Sequence, residues 1–272
     1  LLKLALEGSL SKLYRRSSPT LSAFNEINTY NEAIKEKRKD LEKKLKICEK
    51  ELKLEKDKDK KALFKSQIQI LKKEIAKCKE ITPLNLSESP FTIPNSWAWV
   101  KLGDICEMKK GPFGSAITKD MFIPNGNNAV KIYEQKNAIQ KSETLGEYYI
   151  SLEHFEKLKQ FEVFENDIIV SCAGTIGEIF RIPKNAPKGI INQALMKIKL
   201  VNEEWIPYFM IFFDFLIKQK SQENSKGSAI KNIPPLDILK NFSIPLPPLC
   251  EQEHIVQTLD TLFTLKKGLR VD

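Results

Sequence analysis

The chain holds 272 residues, with 44 Lys and Arg against 35 Asp and Glu, a net charge of +9. Hydrophobic residues at 42% suffice for a core and exclude wholesale disorder. The most apolar run, 205–217, contains Pro207 and Asp214 and falls short of the ~20 residues a membrane span needs. The basic surplus favours a polyanionic partner and says nothing about fold.

Leu1–Leu10 lacks the basic flank and long apolar stretch of a secretory signal, which fits a cytoplasmic protein. Leu1 in place of a methionine points to a processed product or a fragment of a longer chain. Residues 25–82 carry eighteen basic and twelve acidic side chains, whereas residues 91–250 carry nineteen and seventeen. The first of these segments has no Gly or Pro, is rich in Lys, Glu and Leu, and predicts helix. Ile34, Leu41, Leu45, Cys48 and Leu52 form one heptad seam, and Phe64, Ile68, Leu71, Ile75 and Cys78 form another. The seams are out of phase, and the string 55–61 between them has no apolar residue. Either a stutter keeps one rod of roughly 85 Å, or the chain turns back as a helical hairpin; the pattern leans toward two pieces. A solvated coiled-coil flank is the bland explanation of the lysine-rich faces. Residues 1–82 therefore form a helical spacer region.

Residues 83–90 predict a linker, with Pro83 closing the helical pattern. From 91 to 249 short β-type runs follow one another: Ala129–Tyr133, Asp167–Ser171, Glu178–Ile182 and Leu195–Leu200, separated by Gly, Asn and Pro turns. In the last run Met196, Ile198 and Leu200 alternate with Lys197 and Lys199, the pattern of a half-exposed strand. Trp205–Lys220 predicts a buried amphipathic helix. After the Pro-rich segment Ile244–Leu249, residues 250–272 resume helical spacing at Ile255, Leu259, Leu262 and Leu265. The fold class is α+β: a globular domain of short strands and helices flanked by long coiled-coil helices.

Chemistry-bearing motifs are scarce. Cys48, Cys78, Cys106, Cys172 and Cys250 are odd in number and tens of residues apart, unlike a disulfide framework or a zinc ribbon. His154 and His254 have no second ligand at metal spacing, so no metal site is expected. Gly111–Gly114 and Gly174–Gly177 give neither a three-glycine dinucleotide fingerprint nor a phosphate loop. Pro234–Pro235 and Pro247–Pro248 lack the flanking Asp or Asn and aromatic of a methyltransferase catalytic motif. Glu42–Lys44 and Glu51–Lys53 lie on the coiled coil and form no nuclease pocket there. A nucleophile at Ser171–Cys172 would need a base, and His154 falls in an exposed helical stretch. No catalytic residue is expected.

Six strings carry a resemblance: Ile93–Ile105 (IPNSWAWVKLGDI), Lys110–Ser115 (KGPFGS), Asn166–Gly177 (NDIIVSCAGTIG), Gly189–Leu195 (GIINQAL), Gly227–Ile233 (GSAIKNI) and Ile244–Ile255 (IPLPPLCEQEHI). Each is weak alone. In this order, over about 165 residues, they resemble the specificity subunit of type I restriction–modification systems. Leu1–Leu10 with Tyr14–Arg16 is similar to the end of that family's central helical region. Full-length members carry two target-recognition domains, each followed by a helical region. This chain has one such domain, a leading helical part and the opening of a trailing helix, as in the second half of a subunit or a half-size form. The family often has Gly-Asp where Asn166–Asp167 stands, and an Arg where Cys172 or Ala173 stands, a change that takes a phosphate or base contact from that loop.

The resemblance implies a subunit that reads one half of a bipartite site in double-stranded DNA and catalyses nothing itself. Its helices set the distance to the other half and dock the modification (methyltransferase) subunits, while a separate restriction (translocase–nuclease) subunit cleaves. It needs no cofactor of its own; S-adenosylmethionine, ATP and Mg²⁺ belong to the partners. Polar residues on glycine-flanked loops are the plausible DNA contacts, because glycine lets a backbone approach phosphates closely. They are Lys109, Lys110, Ser115 and Lys119 at the first loop, and Ser171, Thr175, Arg181 and Lys184 at the second. Asn192 and Gln193 suit base reading, since their amides can bond adenine bidentately; the alternative is that they cap a turn or pair with a strand edge. Ser228, Lys231 and Asn232 suit phosphates. The unpartnered heptads also point to a homodimer. Two other readings stand beside this one: a coiled-coil protein-interaction scaffold, and the recognition portion of a fused restriction–modification enzyme.

Overall fold

The computed structural model of the chain describes residues 1–85, 91–223 and 233–268, with the stretch 218–223 as backbone alone. Two short helices, α1 (Leu2–Leu6) and α2 (Lys12–Ser17), lead into α3 (Ala23–Leu54) and α4 (Lys58–Lys77). The two heptad seams thus lie on separate helices. Helix α3 stops where its apolar residues stop, and Glu55 and Asp57 turn extended, with ψ of 139° and 132°. The Asp57 carboxylate accepts from the N–H groups of Asp59 and Lys60 at 2.8 and 3.0 Å and so caps α4. Glu55 accepts from the N–H groups of Asp57 and Lys56, and these bonds hold its carboxyl below the usual range.

The helices return antiparallel as a hairpin. Lys35 meets Glu80 at 3.0 Å and Lys72 meets Glu49 at 3.5 Å across it. Both pairs are exposed and screened, so the half-buried apolar seam holds the hairpin together. Helix α4 ends at Lys77 rather than running on toward Thr82, because the following chain is taken up by other elements. Asn31 exchanges two side-chain hydrogen bonds with the Ile81 backbone, 2.9 and 2.8 Å, and the Leu84 N–H donates to the Trp99 carbonyl at 2.7 Å.

The remaining elements are, in order, β1 (Ala98–Lys101), α5 (Leu102–Ile105), β2 (Cys106–Lys110), β3 (Phe122–Ile123), β4 (Ala129–Tyr133), α6 (Gln135–Ile139), β5 (Tyr149–Ser151), α7 (Leu152–Leu158), β6 (Glu162–Val163), β7 (Ile168–Ser171), β8 (Ile179–Arg181), β9 (Gly189–Ile191), β10 (Leu195–Leu200), α8 (Ile206–Glu223), α9 (Leu236–Lys240), β11 (Ser243–Leu246) and α10 (Leu249–Gly268). They build a four-stranded antiparallel sheet in the order β2-β10-β7-β8 and a five-stranded mixed sheet in the order β3-β5-β4-β9-β6, where β4 and β9 run parallel. A separate ribbon pairs β1 with β11, so Pro245, inside the Pro-rich segment, sits on a strand opposite Trp99. Pro is tolerated because this strand has an open edge.

The four-stranded sheet is an inner layer. Ile168 and Val170 of β7 join a core with the tryptophans Trp97, Trp99 and Trp205, with Phe209 and Phe213 of α8, and with Ile255 and Leu259 of α10. Ile169 turns the other way, into a second core with Val130, Ile132, Phe155 and Ile190. This explains why β7 reads as an unbroken apolar run rather than an alternating one. On β10, Met196, Ile198 and Leu200 are buried, Lys199 is exposed, and Lys197 reaches Asp167 at 3.4 Å and the Glu162 carbonyl.

One buried carboxylate joins the two ends of the described chain to the sheet domain. Glu251, fully buried at the start of α10, accepts from the Ser11 hydroxyl (2.6 Å), the Arg15 guanidinium (2.5 Å) and the Trp97 indole N–H (2.8 Å). Arg15 also donates to the Gly8 carbonyl at 2.6 Å. A buried charge persists only when paired and hydrogen-bonded, and these three donors meet that requirement.

Candidate DNA interface

The strand registers bring three connections to one end of the four-stranded sheet. Lys110, the last residue of β2, lies opposite Met196, and Ser171, the last of β7, lies opposite Leu195, the first of β10. The segments 111–118, 172–178 and 192–194 therefore leave the sheet side by side. Backbone bonds tie them: Gly111 N–H to the Leu195 carbonyl (2.9 Å), Cys172 N–H to the Ala194 carbonyl (2.9 Å), and Asn192 N–H to the Tyr133 carbonyl (3.0 Å). The Gln135 side-chain amide donates to the Ala173 carbonyl, and the Ile233 N–H donates to the Cys172 carbonyl at 3.1 Å.

Two glycines are required by geometry. A Cβ on Gly111 would stand 1.8 Å from the Asn192 carbonyl oxygen, so only glycine lets the first loop lie against the third. Gly177 has φ +80°, and its Cβ would stand 2.2 Å from Ile217. Beyond the first of these glycines Phe113, Gly114 and Ser115 stand in solvent, with Phe113 88% exposed.

The expected contacts fall into groups. Lys110, Ser115, Thr175 and Gln193 are exposed, and Asn192 is half-buried, all on the three converging loops. Asn192 uses its side-chain oxygen to accept from the Ala194 N–H at 3.0 Å, so it does cap its own turn. The more exposed Gln193 is the better placed amide for a base edge. Lys119 is exposed further along the first connection, beyond the buried Ile117. Lys109 is half-buried, donates to Gln160 at 2.7 Å and lies over the Phe161 ring; burial, then Lys197 and Lys73, hold its ammonium below the usual lysine range.

Ser171 requires a correction. It is fully buried, donates to the Thr175 carbonyl at 2.6 Å and accepts from the Glu178 N–H at 3.0 Å, so it shapes the second loop from beneath and presents nothing to a ligand. Arg181 and Lys184 are exposed but do not join the cluster. Arg181 lies opposite Ile168, the far end of β7, and both its Nε and Nη2 donate to Asn166 Oδ1, at 2.9 and 2.7 Å. Ser228, Lys231 and Asn232 lie outside the described residues. Phe113 and Gln135 also lie at this end of the sheet though neither is among the expected contacts; an apolar residue set between two glycines of a loop is a sequence signal for the first, and the second carries none.

The reactive side chains sit apart from one another. His154 contacts Ser151 of its own turn at 3.1 Å, not Ser171 or Cys172. Burial pushes the Cys172 thiol up to about 11. Among the described residues no group of His, Cys, Asp and Glu is arranged to hold a metal ion, and no helix is long and apolar enough to cross a membrane.

Known proteins supply the remaining comparison. Residues 94–271 match the family described as the type I restriction modification DNA specificity domain. The chain is 23% identical over 224 residues to the type I restriction enzyme EcoEI specificity subunit of Escherichia coli, covering 77% of this chain and 36% of that one. It is 28% identical over 196 residues to the MjaVIII specificity subunit of Methanocaldococcus jannaschii, covering 66% and 40%. Its fold is shared, at a TM-score of 0.50 and 16% identity, with a chain from a solved type I R-M system, over 91% of this chain and 52% of that one. The matched segments thus cover well under half the length of these curated relatives. With nearly two thirds of its residues inside the matched domain, the chain belongs to the type I restriction–modification DNA specificity family.

Proposed function

We propose that this chain is the DNA-reading component of a type I restriction–modification assembly. Its sheet domain reads one half of a bipartite duplex site through the loops at 111–118, 172–178 and 192–194. Lys110 meets phosphate, while Gln193 and the free side of Asn192 meet base edges. The helices set the spacing to a second half-site and dock the methyltransferase subunits. S-adenosylmethionine, ATP and Mg²⁺ are held by the methyltransferase and translocase–nuclease partners, and this chain catalyses no step. The observation that carries the reading is the convergence of three polar loops, two of them rooted on glycines that the geometry requires, at one end of the four-stranded sheet, in a chain of this family.

Purification with its methyltransferase subunit, followed by methylation mapping of treated DNA, tests it. A discrete methylated motif that vanishes without this chain is expected. Binding should weaken steeply with salt, because each neutralised phosphate releases counterions and adds about −0.9 to the log–log slope. Gln193→Ala should relax preference at one position, at about 1–3 kcal/mol, whereas Lys110→Ala should weaken all sequences alike.

The scaffold reading is favoured by a separate observation: Ile47, Leu54, Leu63 and Ile70 of the hairpin are exposed, spaced seven apart on each helix. It predicts weak, salt-insensitive DNA affinity and no methylated motif.

A further inference from the structure

Phe113 is the most exposed large apolar side chain among the described residues, and none of them covers it. Its loop is nevertheless fixed on both sides. Gly111 is locked against the Asn192 carbonyl, Pro112 is buried, and Ile117 is buried in the second core. The Ala116 N–H donates to the Phe113 carbonyl at 2.8 Å, closing a 3₁₀ turn over Gly114–Ala116. Around Gly114 the space is open. A phenyl ring held in water adds no burial energy to the free chain and costs it solubility; it gains only when a partner covers it.

The neighbours say which partner. The ring shares its end of the sheet with Lys110, Ser115, Thr175 and Gln193, a polar and cationic set suited to phosphates and base edges rather than to a protein groove. In such company an apolar group has one feature of the major groove to meet, the thymine C5-methyl. We infer that Phe113 is a specificity-determining residue that packs against a thymine methyl in the recognised half-site. The inference rests on the DNA-reading function proposed above. It adds an apolar readout to the polar one, and makes the first loop a base-reading element as well as a phosphate-binding one.

The test uses the full chain and the Phe113→Ala and Phe113→Leu variants, each selected on a random duplex pool. The wild type should return a motif containing a required thymine that Phe113→Ala no longer requires, with the other positions kept and Phe113→Leu intermediate. Replacing that thymine by uracil removes the methyl alone, and should weaken wild-type binding roughly three- to tenfold while leaving Phe113→Ala unchanged. An identical motif and affinity for Phe113→Ala overturns the inference while leaving the DNA-reading function standing. So does a rise in 2-aminopurine fluorescence that depends on Phe113, which would make the ring a wedge between unstacked bases. If the wild type selects no motif at all, the DNA-reading function itself falls, and the role of Phe113 with it.

Discussion

Replacing Glu251 by alanine should be strongly destabilising. The carboxylate is fully buried and satisfies the Ser11 hydroxyl, the Trp97 indole N–H and the Arg15 guanidinium, whose side chain is 18% exposed. Its removal leaves two neutral buried donors unpaired at about 1–3 kcal/mol each. Arg15 would lose its counter-charge, and breaking a buried pair from one side costs about 3–5 kcal/mol. These penalties share one site and are not additive, so a total of about 4–6 kcal/mol is expected, much of an ordinary domain's stability. Glu251→Gln keeps the shape and one acceptor oxygen and should lose about half as much. Urea unfolding followed by tryptophan fluorescence reads this directly, because Trp97 is itself a partner. A loss under about 1 kcal/mol for Glu251→Ala would refute the reasoning. In that case water or a rearranged Arg15 must replace the carboxylate with little loss. A cycle with Arg15→Met then separates the pair from the rest: strong coupling is expected, and additivity would assign the loss to Trp97 and Ser11 alone.

Gly111→Ala should cost about 1–3 kcal/mol and abolish sequence preference, because its Cβ has to displace the Asn192 carbonyl; unchanged DNA selection by this variant would count against the loop arrangement. Asp57→Ala should remove about 1 kcal/mol by exposing the first N–H groups of α4, seen as a lower urea midpoint with the same m-value. Alkylation at pH 8 should reach exposed Cys250 first and Cys48 more slowly; Cys78, Cys106 and Cys172 should react only on unfolding, since burial pushes the thiols of Cys106 and Cys172 upward, and early labelling of Cys172 would contradict the fold. Glu26 accepts the Leu249 N–H at 3.0 Å, yet burial, the larger effect, raises its carboxyl pKa. The folded state therefore binds more protons than the unfolded one just above the ordinary carboxylate range, and stability falls as pH rises through that window. Glu26→Gln should flatten the fall, and urea midpoints between pH 4 and 7 with an unaltered slope would show the burial to be harmless.

What could be read from the residues was whatever depends on local pattern. The strands at Ala129–Tyr133 and Leu195–Leu200 appear at the expected bounds because alternation and flanking turns define them locally. The turn between α3 and α4 was only half legible: the phase break across an apolar-free string allowed a stuttered rod or a turn, and the structure takes the turn. The strands β2, β5 and β9 went unread: each has three to five residues and acquires its partner only from distant chain. The loop assignments divide in the same way. Glycine-flanked loops were found from their composition, but whether a hydroxyl points out or down depends on the strand beneath it. Ser115 and Ser171 look alike as letters and end in opposite surroundings, one in solvent and one fully buried. Arg181 followed a loop in sequence, yet the β8 pairing carries it to the other end of the sheet.

The bond from Trp97 to Glu251 spans 154 residues, and the ribbon it accompanies joins residues 98–101 to residues 243–246. Both halves of that closure have to exist before either is stable. During synthesis the N-terminal side of the domain therefore waits, with the core around Trp97 and Trp99 unclosed, until almost the whole described chain has left the ribosome. The hairpin of α3 and α4, built from near neighbours, can form long before. Order of birth and order of assembly thus part company: the helical arm is early, and the domain that orients the three loops closes last. Contacts of such long range fold slowly and leave apolar surface exposed meanwhile. The docking of α10 brings Glu251 to its donors and adds Ile255 and Leu259 to the core, so until it occurs that apolar surface stays open.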